Sequence, residues 1–390
     1  MKNGNHFSAK SGPVKNSLSF LILAALSVFF LLSCVTSNGV FQSNITVQRY
    51  PGDGNWLRGD LHMHSLYSDG DSSIQAVIEA SRSSDLDFIA VTDHDTSQKG
   101  IISSWKDPGY EDPAMMMLYG TEWTTSMGHA NIISAVPFDY SVLWEANRKK
   151  DFFLALKAAQ TAGAIFSMNH PVRITPSWKY PAADLRVMEI WNAPFRFPTG
   201  NRQAVGMIWT ELLLSGRRVT GIGGSDSHRH KGMQSRINPP GYPTTWIYAE
   251  EKSPQAIIDA IKAGKVSVSY APYGPRLELT ADADGDGVFE TGMGGTLQPN
   301  SRVQIKAQAV FHETPDWAPG LFRIILYGDD TVIASEKLRA ANGFSVVVNA
   351  APSNYTYFRA ELHGPPEGNL LFRYLTGNTL AVANPIYTRQ

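Results

Sequence analysis

The 390-residue sequence predicts an α/β fold built on a largely parallel sheet, followed by an all-β, sandwich-like domain. Three observations carry this. Strand-like and helix-like runs alternate from about Leu57 to Ser269. Imidazoles and acids repeatedly close the apolar runs of that stretch. After Tyr270 the runs become short and β-rich, separated by Gly, Pro, Asn and Asp.

In chain order, the candidate strands of the first half are Leu57–His62, Leu86–Thr92, Ala114–Gly120, Ala164–Met168, Val187–Trp191, Val219–Gly224 and Thr244–Ala249. His129–Ser134 adds a further one. Helices fit between them. Ser72 or Ser73 caps a helix through Ser81, Asp151 caps Phe152–Thr161 ahead of Gly163, Arg202–Leu214 precedes Gly216, and Ser253-Pro254 opens a helix ending at Gly264. The second half offers Arg276–Thr280, Arg302–Val310, Phe322–Tyr327, Thr331–Ala334, Phe344–Val348, Thr356–Leu362 and Leu380–Val382. The expected organisation is a leader over 1–33, a tether over 34–50, a barrel over 51–270 and a β-rich accessory domain over 271–390.

Hydrophobic residues make up 43% of the chain, enough for a full core, and the formal net charge of −1 comes without a Lys/Arg stripe. Nucleic-acid binding therefore has no electrostatic support, and a small-molecule substrate fits better. Lys2, Lys10 and Lys15 precede an apolar run from Leu18 to Leu32 and then Ser33-Cys34, the outline of an export signal. Leu31-Leu32-Ser33-Cys34 resembles a bacterial lipobox, which implies lipid attachment at Cys34 and a cell-envelope location at a membrane; a retained anchor is the alternative. Cys34 is the single cysteine, so disulfides are excluded.

Seven of the ten histidines fall between His62 and His230. Six of the seven sit in Asp60-Leu-His62-Met-His64, Thr92-Asp93-His94, Gly128-His129, Asn169-His170-Pro and Ser225-Asp226-Ser-His228, with Gly120-Thr-Glu122 among these motifs. In extended chain, positions i and i+2 share a face, so His62 and His64 can reach one ion, as can Asp226 and His228. A lone His-x-His or Ser68-Asp69-Gly70 is usually structural, but an ordered series on strand ends is how a barrel mouth assembles a metal cluster. Imidazole with carboxylate suits zinc, manganese or iron, and carboxylates bridge ions.

The ordered set resembles the PHP (polymerase and histidinol phosphatase) family, metal-dependent phosphoesterases on a distorted (β/α)7 barrel of TIM-like form. Asp-Leu-His-Met-His-Ser with Ser-Asp-Gly is similar to its first motif, Val-Thr-Asp-His-Asp to its second, Asn-His-Pro to its third and Gly-Ser-Asp-Ser-His to its fourth. Gly120-Thr-Glu-Trp-Thr-Thr, Gly128-His-Ala-Asn and the ending Asn384-Pro-Ile-Tyr387 resemble the CehA/McbA-type branch, which includes carbaryl hydrolase. The resemblance implies two or three divalent ions. His62, His64, Glu122 and Asp226 would hold one, and Glu122 would bridge to a second with His170 and His129. Asp69, His94 and His228 would form a third site or, with two ions, serve proton transfer and substrate contact. Many family members have His where this chain has Asp69.

Asp60 and Asp93 are expected either to accept an imidazole N–H or to cap loops. Arg229-His230-Lys231 reads as a solvated run or as an anion-holding loop, and Arg173 is the other cation for a phosphate oxygen. The ions would supply an acidified water, and His94 or Asp69 the proton for the leaving alkoxide. Three functions stay open: a phosphoesterase, a carbamate, amide or ester hydrolase on the same centre, and a metal-binding lipoprotein without catalysis. Trp105, Trp123, Trp178 and Trp191 are candidates for an apolar pocket or for core. In the second half, Asp282-Ala-Asp284-Gly-Asp286-Gly287 opens like a calcium loop, with Met293 where a Glu is usual and Glu290 as a substitute ligand; an Asp/Gly-rich turn is the alternative.

Overall fold

The structure, a computed structural model, describes residues 40–41, 49–94, 100–172, 177–182, 184–193, 204–231, 236, 238–299, 302–311, 321–339, 343–364 and 379–388. The leader, most of the tether, Cys34 and Arg173 lie outside them. No helix among the described residues is long and apolar enough to cross a membrane.

The first half contains β2 (Asn55–Asp60), β3 (Phe88–Val91), β4 (Met116–Thr125), β5 (Gly128–Ser134), β6 (Ile165–Met168), β7 (Val187–Asn192), β8 (Thr220–Gly224), β9 (Thr244–Ala249) and β10 (Val266–Ser269). Its helices are α1 (Ile74–Ser83), α2 (Ser141–Lys149), α3 (Phe152–Thr161), α4 (Thr210–Leu214) and α5 (Pro254–Lys262). The caps follow the sequence. Ser73, Asp151 and Ser253 each accept an N–H from the first turn of α1, α3 and α5, and Pro254 occupies the position where its missing N–H costs nothing. The expected Arg202–Leu214 helix is a π-type turn over Ala204–Trp209 running into the short α4.

The expected (β/α)7 regularity is not what the backbone pairing forms. Strands β2–β3–β4 and β6–β7–β8 pair in parallel, but β4–β5–β6 are antiparallel, because Thr125 and Gly128 close a tight hairpin where a barrel would place a helix. Strand β9 also runs antiparallel to β2. The sheet remains open in its backbone ladder, with β8 at its edge. Side chains span that gap. Thr245 Oγ1 accepts from Gly223 N at 2.8 Å and donates to Gly223 O at 2.7 Å. Asn384 accepts from Gly221 N and donates to Gly221 O and Val266 O at 2.7, 2.8 and 2.9 Å.

Asn384 belongs to β18 (Thr379–Tyr387), which pairs with β10 and carries the sheet across the expected 270/271 boundary. The 13-stranded sheet then continues through β17 (Tyr357–His363), β14 (Leu321–Gly328) and β15 (Thr331–Arg339). Against it packs a five-stranded sheet of β1 (Val40–Phe41), β16 (Ser345–Ala350), β13 (Val303–Val310), β11 (Arg276–Asp282) and β12 (Thr291–Gly292). The alternating burial of β14 is that of a strand with one face inward. The main apolar core takes in Leu57, Trp123, Leu277, Phe322 and Ile386 from both halves, a second, smaller cluster includes Met63, Ile78 and Ile89, and Val40–Gln390 form one compact unit. Trp123 and Trp191 are buried in that core and Trp105 and Trp178 pack against it, the packing alternative of the sequence reading.

Candidate metal centre

All nine predicted ligands converge beyond the ends of β2, β3, β6 and β8 and on the β4–β5 hairpin. His62 and His64 follow β2, His94 follows β3, His170 follows β6, and Asp226 and His228 follow β8. Two positions depart from the strand-end expectation. Glu122 lies within β4, and His129 lies at the start of β5, because the hairpin extends both strands past the others.

Glu122 is at the middle. Its Oε1 lies 3.4 Å from His62 Nε2, 3.1 Å from His129 Nδ1 and 3.2 Å from His170 Nε2. Its Oε2 lies 3.5 Å from His64 Nε2 and 2.9 Å from His94 Nδ1. Asp226 Oδ1 approaches His62 Nε2 at 3.5 Å and His64 Nε2 at 3.3 Å. Asp69 gathers the outer group, 3.6 Å from both His64 Nδ1 and His94 Nε2 and 3.2 Å from His228 Nε2. Four sets thus place donor atoms within 4.8 Å of one another: His62, His64 and Asp226; His62, Glu122 and His170; His94, Glu122 and His129; and His64, Asp69, His94 and His228.

The donor set fits divalent cations. His62 and His64 are fully buried, yet their Nε2 atoms have no hydrogen-bond partner. The other ring nitrogen is committed in three of the imidazoles. His62 Nδ1 donates to Glu189 Oε1 at 2.6 Å, and His228 Nδ1 to the Asp226 carbonyl at 2.8 Å. His94 Nδ1 meets Thr124 Oγ1 at 2.7 Å, whose own proton goes to the Glu122 carbonyl. Each bond leaves an Nε2 lone pair facing the carboxylates, the tautomer a metal requires.

Electrostatics agree. Burial pushes the Glu122 and Asp226 carboxyls up, but His62 opposes it in both, joined by His129 and His170 for Glu122 and by His64 and His170 for Asp226. Both acids end well below the usual carboxylate range. Burial likewise resists protonation of His62, and Glu189, Glu122 and Asp226 together outweigh it, leaving that imidazole well above its ordinary value. For His64 burial prevails and the shift is downward. Such a cluster attracts positive charge.

Glu189 is the functional residue the sequence reading missed. Fully buried on β7, it holds His62 through Oε1, while Oε2 accepts the backbone N–H of His170 at 2.8 Å and Asn192 Nδ2 at 3.1 Å. A Cβ on Gly224 would fall 2.5 Å from Glu189 Oε1, so that position has no room for a side chain. The available signal was a carboxylate inside the apolar run Val187-Met-Glu-Ile-Trp. Asn169, beside His170, donates to Glu122 Oε1 at 3.0 Å and accepts from Asn131 N at 3.1 Å.

For Asp60 and Asp93 the loop-capping alternative describes the contacts. Asp60 accepts the backbone N–H groups of His62, Ser225 and Gly241, tying the ends of β2 and β8 together. Asp93 accepts from Ser65 N, Ser65 Oγ and Ser68 Oγ, fixing the turn that carries Asp69. The solvated reading of 229–231 holds for Arg229 and Lys231 only. His230 is buried, its ring nitrogens unpartnered, and burial pushes its imidazole down to about 4. In the second half, Asp282, Asp284 and Glu290 each bring one oxygen within 4.8 Å of the others, without Asp286, and all four carboxylates accept backbone N–H groups of their own loop.

No family model matches the chain, and no curated protein does. Among solved structures it is similar to a two-domain protein from Bacteroides vulgatus containing a predicted PHP-like metal-dependent phosphoesterase. That likeness has 17% identity and a TM-score of 0.46 and covers 89% of this chain and 99% of the other. It is also similar to an amidohydrolase from Chromobacterium violaceum solved with bound sulfate, at 13% identity and a TM-score of 0.34 over 46% of this chain and 90% of that one. Likeness at this level leaves function to be read from the side chains themselves.

Proposed function

We propose that the chain is a metal-dependent hydrolase of PHP type, a phosphoesterase in its leading form. The observation that carries the reading is Glu122. One buried carboxylate presents both oxygens to imidazoles from four different chain segments, with the unpartnered Nε2 atoms of His62 and His64 facing it. His62, His64, Glu122, His170 and Asp226 would hold the inner ions, of which Mn, Zn and Fe fit the donors. Asp69, His94 and His228, with His129, complete the outer group. When bound, such ions supply an acidified water and positive charge against the developing oxyanions.

The chain's own groups set the direction of approach. Inner ligands are buried, whereas the side chains of Asp69, His94 and His228 are 56%, 29% and 22% exposed, so substrate meets the centre across the Asp69 side. With only two ions bound, a protonated His94, its Nε2 3.6 Å from Asp69 Oδ1, is the group that passes a proton to the leaving alkoxide. Burial lowers the His94 pKa, and Glu122 and Asp69 outweigh that and raise it, which keeps a proton available.

Metal analysis of the purified protein with a panel of activated phosphate mono- and diesters and aryl carbamates tests the reading. Turnover of a phosphate ester, loss on chelation and inhibition by phosphate or vanadate are expected. Carbamate turnover indifferent to vanadate would move the chain to the carbonyl-hydrolase alternative, toward which the CehA/McbA-like motifs also lean. Full occupancy with no turnover across the panel would leave a metal-binding protein. Export and acylation at Cys34 belong to the same proposal, supported by Leu31-Leu32-Ser33-Cys34. Palmitate labelling that persists in Cys34→Ser would refute that part.

A further inference from the structure

A cavity of about 580 Å3 lies at the far edge of the same strands, where β6, β7 and β8 begin. Ile165, Phe166, Val187 and Thr220 form its strand side, Leu156 and Gln160 of α3 one wall, and the end of α5 another. Gly294 and Tyr387 close it from the second half of the chain. Its size is that of a small-molecule site.

Three cations face this cavity, Arg186, Arg218 and Lys262, against a single acid, Asp184. Their hydrogen bonds go to neutral acceptors. Arg186 donates to the Leu185 carbonyl at 3.1 Å, Lys262 to the Gly163 carbonyl at 2.6 Å, and Arg218 to Thr296 Oγ1 while its guanidinium sits 4.8 Å from the Tyr387 ring centroid. Among the described residues none of the three has a carboxylate within ion-pair distance. Three cations grouped without carboxylate partners repel one another, and a bound anion relieves that repulsion without breaking an ion pair. The floor beneath them is aliphatic and aromatic.

We propose that this cavity binds a small organic anion, a carboxylate or phosphate head carried on an apolar ring or chain, at a site separate from the metal centre. The head lies among Arg186, Arg218 and Lys262, and the apolar body covers Phe166, Val187 and Leu156. The charge excess suits one or two negative charges. Because the cavity joins the starts of β6–β8 to Gly294 and Tyr387, an occupant also bridges the two halves of the chain.

Calorimetric titration of the full chain with phenylphosphonate, an ionised head on an aromatic ring, tests this. A saturable event is expected that persists after dialysis against the neutral chelator phenanthroline. It should weaken about tenfold or more in R186Q/K262Q, from the loss of charge-assisted hydrogen bonds. Both substituted side chains are exposed, so the variant is expected to fold, and an unchanged melting temperature verifies it. An undiminished event in R186Q/K262Q, loss of the event on metal removal, or equal affinity for inorganic phosphate each overturns the assignment. The second of these would place the phosphonate at the metal centre instead.

Discussion

Glu189→Gln is the sharpest test of how the centre is built. The substitution is nearly isosteric, so packing on β7 is kept, but an amide has one accepting oxygen where the carboxylate has two. In the native protein Oε1 accepts from His62 Nδ1 at 2.6 Å, and Oε2 accepts from His170 N and Asn192 Nδ2 at 2.8 and 3.1 Å. If the amide oxygen stays with His170 and Asn192, its NH2 faces His62 Nδ1, and the imidazole must move its proton to Nε2. That tautomer points an N–H at the metal position. Turning the amide over leaves the His170 N–H facing a donor, at a residue whose φ is already 27°. Loss of such a partner costs roughly 10- to 100-fold in metal affinity, about 1.4–2.7 kcal/mol. Competition against a chromophoric chelator, with circular dichroism as the check on folding, measures it. Affinity within about twofold of the native protein in a well-folded variant would refute the orienting role assigned to Glu189.

Gly224→Ala, whose Cβ would also fall 2.6 Å from His62 Cβ, is expected to weaken metal binding and cost about 1–3 kcal/mol in a urea melt; an unperturbed variant would show that β7 and β8 move apart freely. In β17, burial raises the Glu361 carboxyl, but His363 and Arg359 outweigh it and hold it at about 2 against an ordinary 4.5. Its stabilisation, on the order of 3 kcal/mol, is therefore complete above pH 4.5 and lost as pH falls toward 2, so Glu361→Gln should flatten the acid limb of stability against pH. The calcium reading of Asp282, Asp284 and Glu290 predicts a saturable rise in Tm with millimolar calcium; a flat titration would leave a turn supported by its own backbone donors.

What was legible in the sequence was local. His62 with His64, and Asp226 with His228, are pairs whose spacing alone sets a shared face, and Ser73, Asp151 and Ser253 are caps readable from type and position. Direction across the sheet was not legible. Asp60 sits two residues before His62 and suggested an imidazole partner, yet it points at Ser225 and Gly241, and the partner comes from Glu189, 127 positions away. The same limit hid the shared sheet. Composition changes after Tyr270, but the pairing of Ser267 with Ala383 and the three bonds of Asn384 depend on contacts that no local pattern encodes.

The centre is also expected to govern stability. Glu122 and Asp226 are ionised and buried, and His170 and Asp226 take left-handed φ values of 27° and 53°, which side chains other than glycine adopt at a cost. The Glu189 bond to His170 N and the 2.8 Å bond from Asp226 N to the His62 carbonyl hold those turns, but neither brings the Nε2 atoms of His62 and His64 a partner. A cation among them does so while neutralising the acids. Tm should therefore rise with free metal concentration, by RT ln(1 + [L]/Kd) in free energy, or about 2.7 kcal/mol at a hundredfold excess over Kd. Calorimetric scans of stripped protein titrated with zinc or manganese measure it. A Tm independent of metal would mean that the imidazole and carboxylate cluster is self-sufficient, and the reading of Glu122 as the bridge of a metal centre would fail with it.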